Sequence, residues 1–442
     1  MSDALGRSDD WGGVTLTDRV IGTVLLIAVV INVIAARSSV FILPTFVAMA
    51  LATAYLERES FRGFLRPVPN SIPLALFLAF AVLSSVWSAD PGATFTFTIL
   101  ICLTFLQWHV VNHWIALQPQ RRIRHLSYWF VIAFLLGLVF LLHEVLANQY
   151  IRRLLVDHFG LFTPPSLKRH GYVDAAGNTH IKSFELNRSI ATVNMLLWPA
   201  LLCAMAHWTG KRLALIAALF IGGVFVATLG SNHETSKIAV LAGLACFAAA
   251  SLWRRAATVS IGAVWAVCVL GVVIAANFAY DQLQLQDAKW AQASARERII
   301  IWKDTAERVA DAPWVGVGAR TAYVLSNRAK QQKVHVAPAV GRETAAVHAH
   351  NMYLQNWFEL GIVGAVLLLF AGLAALRGVA TIPERAQPFA LATFAVFAVE
   401  IASSWEIWQR WFAALFALTM IYLSLAIRSA EDDQFSGGDS RS

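Results

Sequence analysis

Charged residues are scarce in this chain. Asp, Glu, Lys and Arg make up only 14% of its 442 residues, whereas 58% are hydrophobic and the mean hydropathy is +0.59. A soluble globular protein needs more polar residues than this to cover its surface, so that class is excluded. The composition predicts an all-α polytopic membrane protein.

Cysteine is scarce as well. The four cysteines are Cys102, Cys203, Cys246 and Cys268, and each lies in a long apolar stretch. A thiol in such a stretch behaves as a small hydrophobic group. The sequence therefore predicts neither a disulfide framework nor a metal site built from cysteine.

A pattern typical of nucleic-acid binding is also missing. The net charge is +8, yet no basic helix with interleaved stacking aromatic residues is present. Much of the positive charge lies in short loops between apolar stretches, where it orients helices and meets anionic lipid headgroups. These residues are therefore predicted to contact membrane lipids, and no nucleic-acid partner is predicted.

Twelve apolar stretches are each about as long as a membrane-spanning helix, roughly 17 to 25 residues. They lie near residues 20–36, 40–56, 71–88, 94–116, 126–148, 189–207, 213–229, 238–253, 258–279, 352–376, 387–403 and 408–427. Residues 1–17 are polar and no small-residue cleavage pattern follows the first stretch, so an uncleaved first span is expected. The sequence predicts about twelve transmembrane helices.

Basic residues predict how these helices cross the membrane, because Lys and Arg near helix ends are retained on the cytoplasmic side. Alternate short loops carry most of them: Arg58, Arg62, Arg66, Arg121, Arg122, Arg124, Lys211, Arg212, Arg254, Arg255, Arg377, Arg385 and Arg428. The predicted organisation is a cytoplasmic tail (1–17), five helices (18–148), a periplasmic loop (149–188), four helices (189–279), a larger periplasmic loop (280–351), three helices (352–428) and a disordered cytoplasmic tail (429–442).

The larger outer loop is predicted to contain a helix. From Gln282 to Ala312 the chain has almost no helix breakers, and Pro313 ends the run. Arg298 and Trp302 lie four residues apart, so they share one helix face. The alternative interpretation is a helix that lies on the membrane with its arginines snorkelling to the surface.

Two histidines stand where this loop re-enters an apolar helix. The segment reads His348-Ala349-His350-Asn351-Met352-Tyr353-Leu354. An imidazole has an ordinary pKa of about 6.5, so His350 can be neutral and basic near pH 7. The alternatives are a histidine that only hydrogen-bonds at a helix start and a zinc site. Zinc needs more than two ligands, and no third ligand is evident.

Two further cations open apolar stretches on the outer side. Arg188 follows Asn187, and Lys237 follows Thr235-Ser236. An arginine there can hold a phosphate by paired hydrogen bonds, or it can simply mark the membrane interface. Together with Arg298, these cations could converge on one outward pocket.

These pieces, in this order, resemble the O-antigen ligase and polymerase superfamily of bacterial inner-membrane glycosyltransferases. The pieces are Asn187-Arg188; Thr235-Ser236-Lys237; Arg298 and Trp302 with Pro313, Gly316 and Gly318; and His350-Asn351-x-Tyr353-Leu354 with Glu359, Gly361 and Gly364. The family usually has Arg after the serine of the second piece. Lys237 keeps the charge but lacks the bidentate guanidinium.

The resemblance implies an O-antigen ligase with a GT-C-like architecture. Such an enzyme transfers O-antigen polysaccharide from undecaprenyl pyrophosphate to the lipid A–core oligosaccharide at the periplasmic face, with inversion and without a cofactor. The roles it implies are His350 as catalytic base; Arg188, Lys237 and Arg298 as donor pyrophosphate ligands; and His348, Asn351, Tyr353, Trp302 and Glu359 as supporting or acceptor-binding residues. The outer loops have no Asp-x-Asp pair, so a metal-independent reaction is expected.

Two other functions stay open. One is a related enzyme, either an O-antigen polymerase or a protein O-oligosaccharyltransferase. The other is a transporter or flippase, which the number of helices and the intramembrane His109, His113, Glu144 and Glu400 favour. No convincing repeat relates the two halves of the sequence, unlike the halves of many secondary transporters.

Overall fold

The computed structural model describes residues 15–57, 70–160, 170–175, 177, 179–325, 348–406 and 408–431. In chain order its α-helices are α1 (Leu16–Ile34), α2 (Ser39–Leu56), α3 (Ile72–Leu83), α4 (Pro91–Leu117), α5 (Gln120–Leu146), α6 (Tyr150–Phe159), α7 (Asn187–Met205), α8 (Gly210–Leu229), α9 (Glu234–Leu252), α10 (Arg254–Asp281), α11 (Ala293–Arg308), α12 (Met352–Val379), α13 (Gln387–Ser403) and α14 (Arg410–Ala430). Strands β1 (Gly171–Val173) and β2 (Thr179–Ile181) form an antiparallel hairpin.

Local sequence explains where several helices begin. At the start of α1, the Thr15 hydroxyl accepts from the Asp18 N–H and the Asp18 carboxylate accepts from the Thr15 N–H, which is a reciprocal capping box. Pro119, which cannot donate from its backbone nitrogen, directly precedes α5. Asn351 caps α12 with its side chain.

The predicted all-α polytopic fold is confirmed, and the number of long apolar helices differs from the twelve predicted. Within the described residues, ten helices are long and apolar enough to span a membrane. The third and eleventh predicted stretches form shorter apolar helices, Ile72–Val86 and Gln387–Ser403. The regular α-helix of the third stretch has 12 residues and is about 18 Å long, well short of a hydrocarbon core of about 30 Å.

The helix predicted between Gln282 and Ala312 is present in a shorter form. Helix α10 extends to Asp281, and Gln284 then adopts a left-handed φ of 48°. A left-handed non-glycine residue interrupts a right-handed helix. A short 3-10 turn follows, and the helix that carries the predicted Arg298 begins only at Ala293.

The chain divides into two compact units, of which unit 1 comprises Met1–Leu65, Trp108–Val240 and Ala417–Ser442. In its core the rings of Phe130 and Tyr422 stack with their centroids 4.5 Å apart. The buried Arg122 donates to Asp18 Oδ1 at 2.6 Å and also to the Glu57 carboxylate. These two carboxylates compensate the burial of a guanidinium, which is costly for an unpaired charge.

Unit 2 comprises Arg66–Gln107 and Leu241–Phe416. Small and aliphatic side chains form one of its core clusters: Ala250, Ala257, Leu376 and Leu391. Helices α10 and α12 pack on each other, and α11 contacts both. This packing fixes the loop helix α11 against the start of α12, where the predicted histidines lie.

Candidate active site

His350 lies in the turn that leads directly into α12. The Asn351 side chain accepts a hydrogen bond from the Leu354 N–H at 3.0 Å, which satisfies one of the free donors at the helix start. His350 itself has a left-handed φ of 52°, a conformation that histidine adopts more readily than most residues. The Asn351 cap and this turn together fix the backbone that carries the His350 imidazole.

Hydrogen bonds determine the state of the His350 ring. Its Nδ1 lies 3.4 Å from the Ser404 carbonyl oxygen, which can only accept, so Nδ1 carries the proton in this contact. The other ring nitrogen, Nε2, then keeps the lone pair that a general base uses. The His350 N–H donates to His348 Nδ1 at 3.2 Å, and the two ring centroids are 4.0 Å apart.

Burial keeps both imidazoles neutral. Burial, with smaller contributions from the neighbouring His348 and the cation of Arg298, lowers the pKa of His350 to about 3. Burial and Arg298 lower the pKa of His348 to about 4. The ordinary value of about 6.5 used in the sequence argument therefore does not apply. At neutral pH the His350 ring is therefore unprotonated and its lone pair is free, although a low pKa makes it a weak base.

Helix α11 brings Arg298 and Trp302 to the same histidine segment, as their shared helix face predicts. The indole N–H of Trp302 donates to the Ala349 carbonyl at 3.0 Å. Arg298 donates from one terminal nitrogen to Ser403 Oγ at 3.0 Å. Burial lowers the pKa of Arg298, and the carboxylate of Glu400 opposes that shift. A guanidinium with so high an ordinary pKa stays charged.

Glu359 supports the architecture of this site from inside the protein. It is fully buried, and its carboxylate accepts from Gln355 Nε2 at 3.3 Å, from the Ala322 N–H at 3.1 Å and from the Trp408 indole N–H. These donors compensate the burial of the carboxyl group. Through Ala322, Glu359 ties the turn after Gly318 to α12.

The glycines of the third and fourth sequence pieces meet backbone to backbone. A Cβ on Gly316 would lie 2.2 Å from the Glu359 carbonyl carbon, and a Cβ on Gly361 would lie 2.4 Å from that of Trp314. The Gly318 N–H donates to the Glu359 carbonyl at 2.8 Å across this contact. Only glycine permits so close an approach, which explains why these two pieces occur together.

Tyr353 is a packing residue in this structure. It is 2% exposed, its hydroxyl donates to the Ala398 carbonyl at 2.9 Å, and its ring meets Trp265 edge-on at 5.4 Å. The hydrogen bond satisfies the hydroxyl inside the protein. Tyr353 therefore joins α12 to α13 beneath His350.

The two remaining predicted cations lie in unit 1. Arg188 lies 4.0 Å from Glu185, whose other carboxylate oxygen lies 2.7 Å from His170. Lys237 pairs with Glu234 at 2.9 Å. Unit 2 holds Arg298, so convergence of the three cations on one pocket stays a prediction.

Known proteins match the segment that holds most of these residues. Residues 196–369 match the family model described as O-antigen ligase. This segment is therefore similar to O-antigen ligases. A Rickettsia typhi protein named "Putative polysaccharide ligase" is 22% identical over 366 residues, covering 80% of this chain and 80% of the relative. A Rickettsia prowazekii protein with the same description is 23% identical over 347 residues, covering 74% and 80%.

The matched segment includes both histidines, Arg298 and Lys237, whereas Arg188 precedes it. The sequence did not predict the roles of Ser403 and Ser404, which contact Arg298 and His350 and follow the matched segment. Their signal was the short polar break between the last two apolar stretches, Ser404-Trp405-Glu406. A break that short holds its backbone next to the helix ends, which is why Ser404 can meet His350.

Metal ligation would need more than the two histidines. Among the residues that the structure describes, no group of three or more His, Cys, Asp and Glu side chains could hold a metal ion. A structural zinc site uses four ligands and a catalytic site usually three. Metal independence remains a prediction about the reaction.

Proposed function

We propose that this protein is an O-antigen ligase that transfers polysaccharide from undecaprenyl pyrophosphate to a sugar hydroxyl of the lipid A–core oligosaccharide. The observation that carries the proposal is the neutral His350 imidazole, hydrogen-bonded to Ser404 and close to the cation of Arg298, inside the segment that matches the O-antigen ligase model. The names of the Rickettsia relatives favour a ligase over a polymerase. The relatives offer no support for a transporter.

In the proposed step His350 acts as the general base. The acceptor hydroxyl gives its proton to Nε2, its oxygen forms a bond to the anomeric carbon, and the bond from that carbon to the pyrophosphate oxygen breaks. The electron pair of the broken bond leaves with the pyrophosphate. One displacement of this kind inverts the anomeric configuration. General-base catalysis typically contributes about 10² to 10⁴ in rate.

The cations stabilise the leaving group in this proposal. Negative charge develops on the pyrophosphate as the bond breaks, and fixed positive groups that face it lower the barrier. Arg298 supplies a guanidinium held by Ser403, and Arg188 and Lys237 would add two further charges. With this charge supplied by side chains, the step needs no metal.

Both long loops face the periplasm in the proposed topology, with the chain in the bacterial inner membrane. The histidine segment would then lie at the outer surface, where lipid-linked polysaccharide and lipid A–core meet. The support for this orientation is the concentration of Lys and Arg in the opposite set of short loops.

Purified protein in nanodiscs, supplied with lipid-linked O-antigen and lipid A–core, tests the mechanism. His350→Ala should lose about 10² to 10⁴ in transfer rate and still bind the donor, while His348→Ala should lose less. Activity should survive EDTA. Equal loss at both histidines, with inactivation by chelator that zinc reverses, would instead establish a zinc enzyme.

Arg298→Lys tests the role of the guanidinium. Lysine keeps the charge but cannot form two parallel hydrogen bonds to phosphate oxygens, so transfer should fall severely. Arg296→Lys, on the same helix, is the matched control and should keep normal activity. Wild-type turnover of the Arg298→Lys protein would remove Arg298 from the mechanism.

A deletion strain separates ligase from polymerase. Loss of the ligase should remove long chains from lipopolysaccharide while lipid-linked polymer accumulates. Lipopolysaccharide that instead carries single repeats would identify a polymerase and overturn the proposed reaction.

A further inference from the structure

A small pocket of about 10 Å³ lies in unit 2, lined by residues close in sequence to His350 and Ser404. Its walls come from the first turns of α12 and from the segment before α14: Met352, Gln355, Asn356, Glu406 and Trp408. Met352 is two residues after His350, and Glu406 is two residues after Ser404, whose carbonyl accepts from His350. The two chain segments that hold His350 therefore also form the pocket.

Two of the residues that line the pocket have polar groups without partners among the described residues. Both side-chain atoms of Asn356, Nδ2 and Oδ1, are buried and lack a hydrogen bond there, as does Gln355 Oε1. Asn356 is 5% exposed and Gln355 is 3% exposed. Buried polar groups almost always have partners, and each one left without costs about 1 to 3 kcal/mol. A ligand group that donates and accepts would remove this cost.

Hydrogen bonds fix the orientation of Gln355 in the pocket lining. Gln355 Nε2 donates to Glu406 Oε2 at 2.7 Å and to Glu359 Oε1 at 3.3 Å, so the Gln355 amide has a fixed orientation. With Nε2 engaged, Gln355 Oε1 is available as an acceptor. The Asn356 amide adds one donor group and one acceptor. Donors and acceptors thus occur side by side.

Charge selects the class of ligand. Glu406 and Glu359 lie on one side, and burial raises the pKa of Glu406 to about 7, while Gln355 and the cation of Arg320 oppose that shift. A phosphate or a carboxylate would find no cation among the lining residues to balance its charge. A neutral hydroxyl group, which donates one hydrogen bond and accepts others, matches the lining.

We propose that this pocket binds a hydroxyl group of the acceptor sugar, adjacent to the hydroxyl that His350 deprotonates. The assignment rests on the proposed glycosyltransferase function. It makes Asn356 and Gln355 acceptor-recognition residues, with Glu406 as the carboxyl group that completes the hydrogen bonds. Its space of about 10 Å³ is about that of one water molecule, so the pocket admits a single hydroxyl group and the rest of the sugar would lie outside it.

Asn356→Leu tests the assignment, because leucine has a similar volume and no polar atoms. The KM for lipid A–core should rise about five- to tenfold, as expected for one or two lost neutral hydrogen bonds. The KM for the lipid-linked donor should stay unchanged. The unfolding temperature should not fall, since a buried unpartnered amide is removed. Gln387→Leu, an amide of the same unit outside the pocket, is the matched control.

Binding of lipid A–core without donor, measured as a thermal shift in nanodiscs, separates the two hypotheses. If wild-type protein binds lipid A–core, Asn356→Leu does not, and neither transfers polysaccharide, the pocket assignment stands and the transfer reaction is wrong. If His350-dependent transfer occurs with the same acceptor KM in Asn356→Leu, the pocket holds at most water and the assignment is wrong. Asn356→Ala and Glu406→Gln repeat the test should Asn356→Leu not fold.

Discussion

The indole N–H of Trp302 donates a 3.0 Å hydrogen bond to the carbonyl oxygen of Ala349, the residue between His348 and His350. One turn earlier on the same helix, Arg298 donates to Ser403. These two hydrogen bonds connect α11 to the segment that contains His350 and to the end of α13. The spacing of one helix turn between Arg298 and Trp302 thus lets both side chains contact segments next to His350, and we expect Trp302 to position the proposed base.

Trp302→Phe tests this positioning role. Phenylalanine fills most of the same space but cannot donate to Ala349, so the histidine segment loses one of its attachments. Transfer by the purified variant should fall about tenfold through kcat. Trp290→Phe is the matched control, since Trp290 is 83% exposed in the same loop. Equal activity of the two variants would show that the Ala349 bond does not position His350.

Gly361→Ala tests the backbone contact between α12 and the Pro313 turn. Gly361 has φ 64° and ψ −161°, a region essentially restricted to glycine, and an added Cβ would lie 2.4 Å from the Trp314 carbonyl carbon. The variant should be destabilised by at least about 2 kcal/mol, visible as a lower unfolding temperature in detergent.

Gly378→Ala is the matched control for Gly361→Ala on the same helix. Its added Cβ would approach nothing closer than Asn70 Nδ2 at 3.7 Å, and alanine favours a helix more than glycine does. The control should keep or raise the unfolding temperature. Similar behaviour of both variants would contradict the proposed backbone constraint at Gly361.

Hydropathy predicted most of this fold because membrane-spanning helices must be long, apolar and hydrogen-bonded within themselves. Hydropathy does not report where a helix ends, so the sequence predicts a full span for α3 although a 3-10 turn begins at Ser84. The hairpin β1–β2 carries only three residues per strand. That is too short for a periodic pattern to indicate it.

The sequence predicts those parts of the candidate site whose residues lie close together along the chain. Arg298 with Trp302, and His348 with His350, follow from local spacing. Ser404 and Glu406 reach the site only through packing of the segment between α13 and α14, which spacing does not encode. The low pKa of His350 likewise arises from burial, so a sequence argument could only assume the ordinary value.

Cysteine labelling tests the proposed orientation. Tyr172, 57% exposed in the first long loop, and Arg121, whose side chain is 48% exposed before α5, are suitable positions on opposite predicted sides. Cysteine at position 172 should react with an impermeant thiol reagent in intact spheroplasts, and cysteine at position 121 should not. Ile123 is fully buried, so it would be silent in either orientation. Labelling at 121 alone would place the site in the cytoplasm.

The pH dependence of transfer tests the environment of His350. In the folded protein the pKa of His350 is about 3, so the neutral base persists as pH falls from 8 to 5. The kcat should therefore show no acid limb near 6.5. Glu406, with a pKa of about 7, titrates in this range and is proposed to contact the acceptor, so its protonation should change the acceptor KM.

The free energy of unfolding should also depend on pH because of the lowered pKa of His350. Below about pH 6.5 an unfolded histidine binds a proton, whereas folded His350 stays neutral down to about pH 3, so the unfolded state binds more protons. The free energy of unfolding must then decrease as pH falls from 6.5 toward 3. His350→Ala should weaken this decrease, measured by unfolding temperature across pH 5 to 8. A kcat that halves near pH 6.5, together with unchanged pH dependence of stability in His350→Ala, would mean that His350 is solvated and titrates normally.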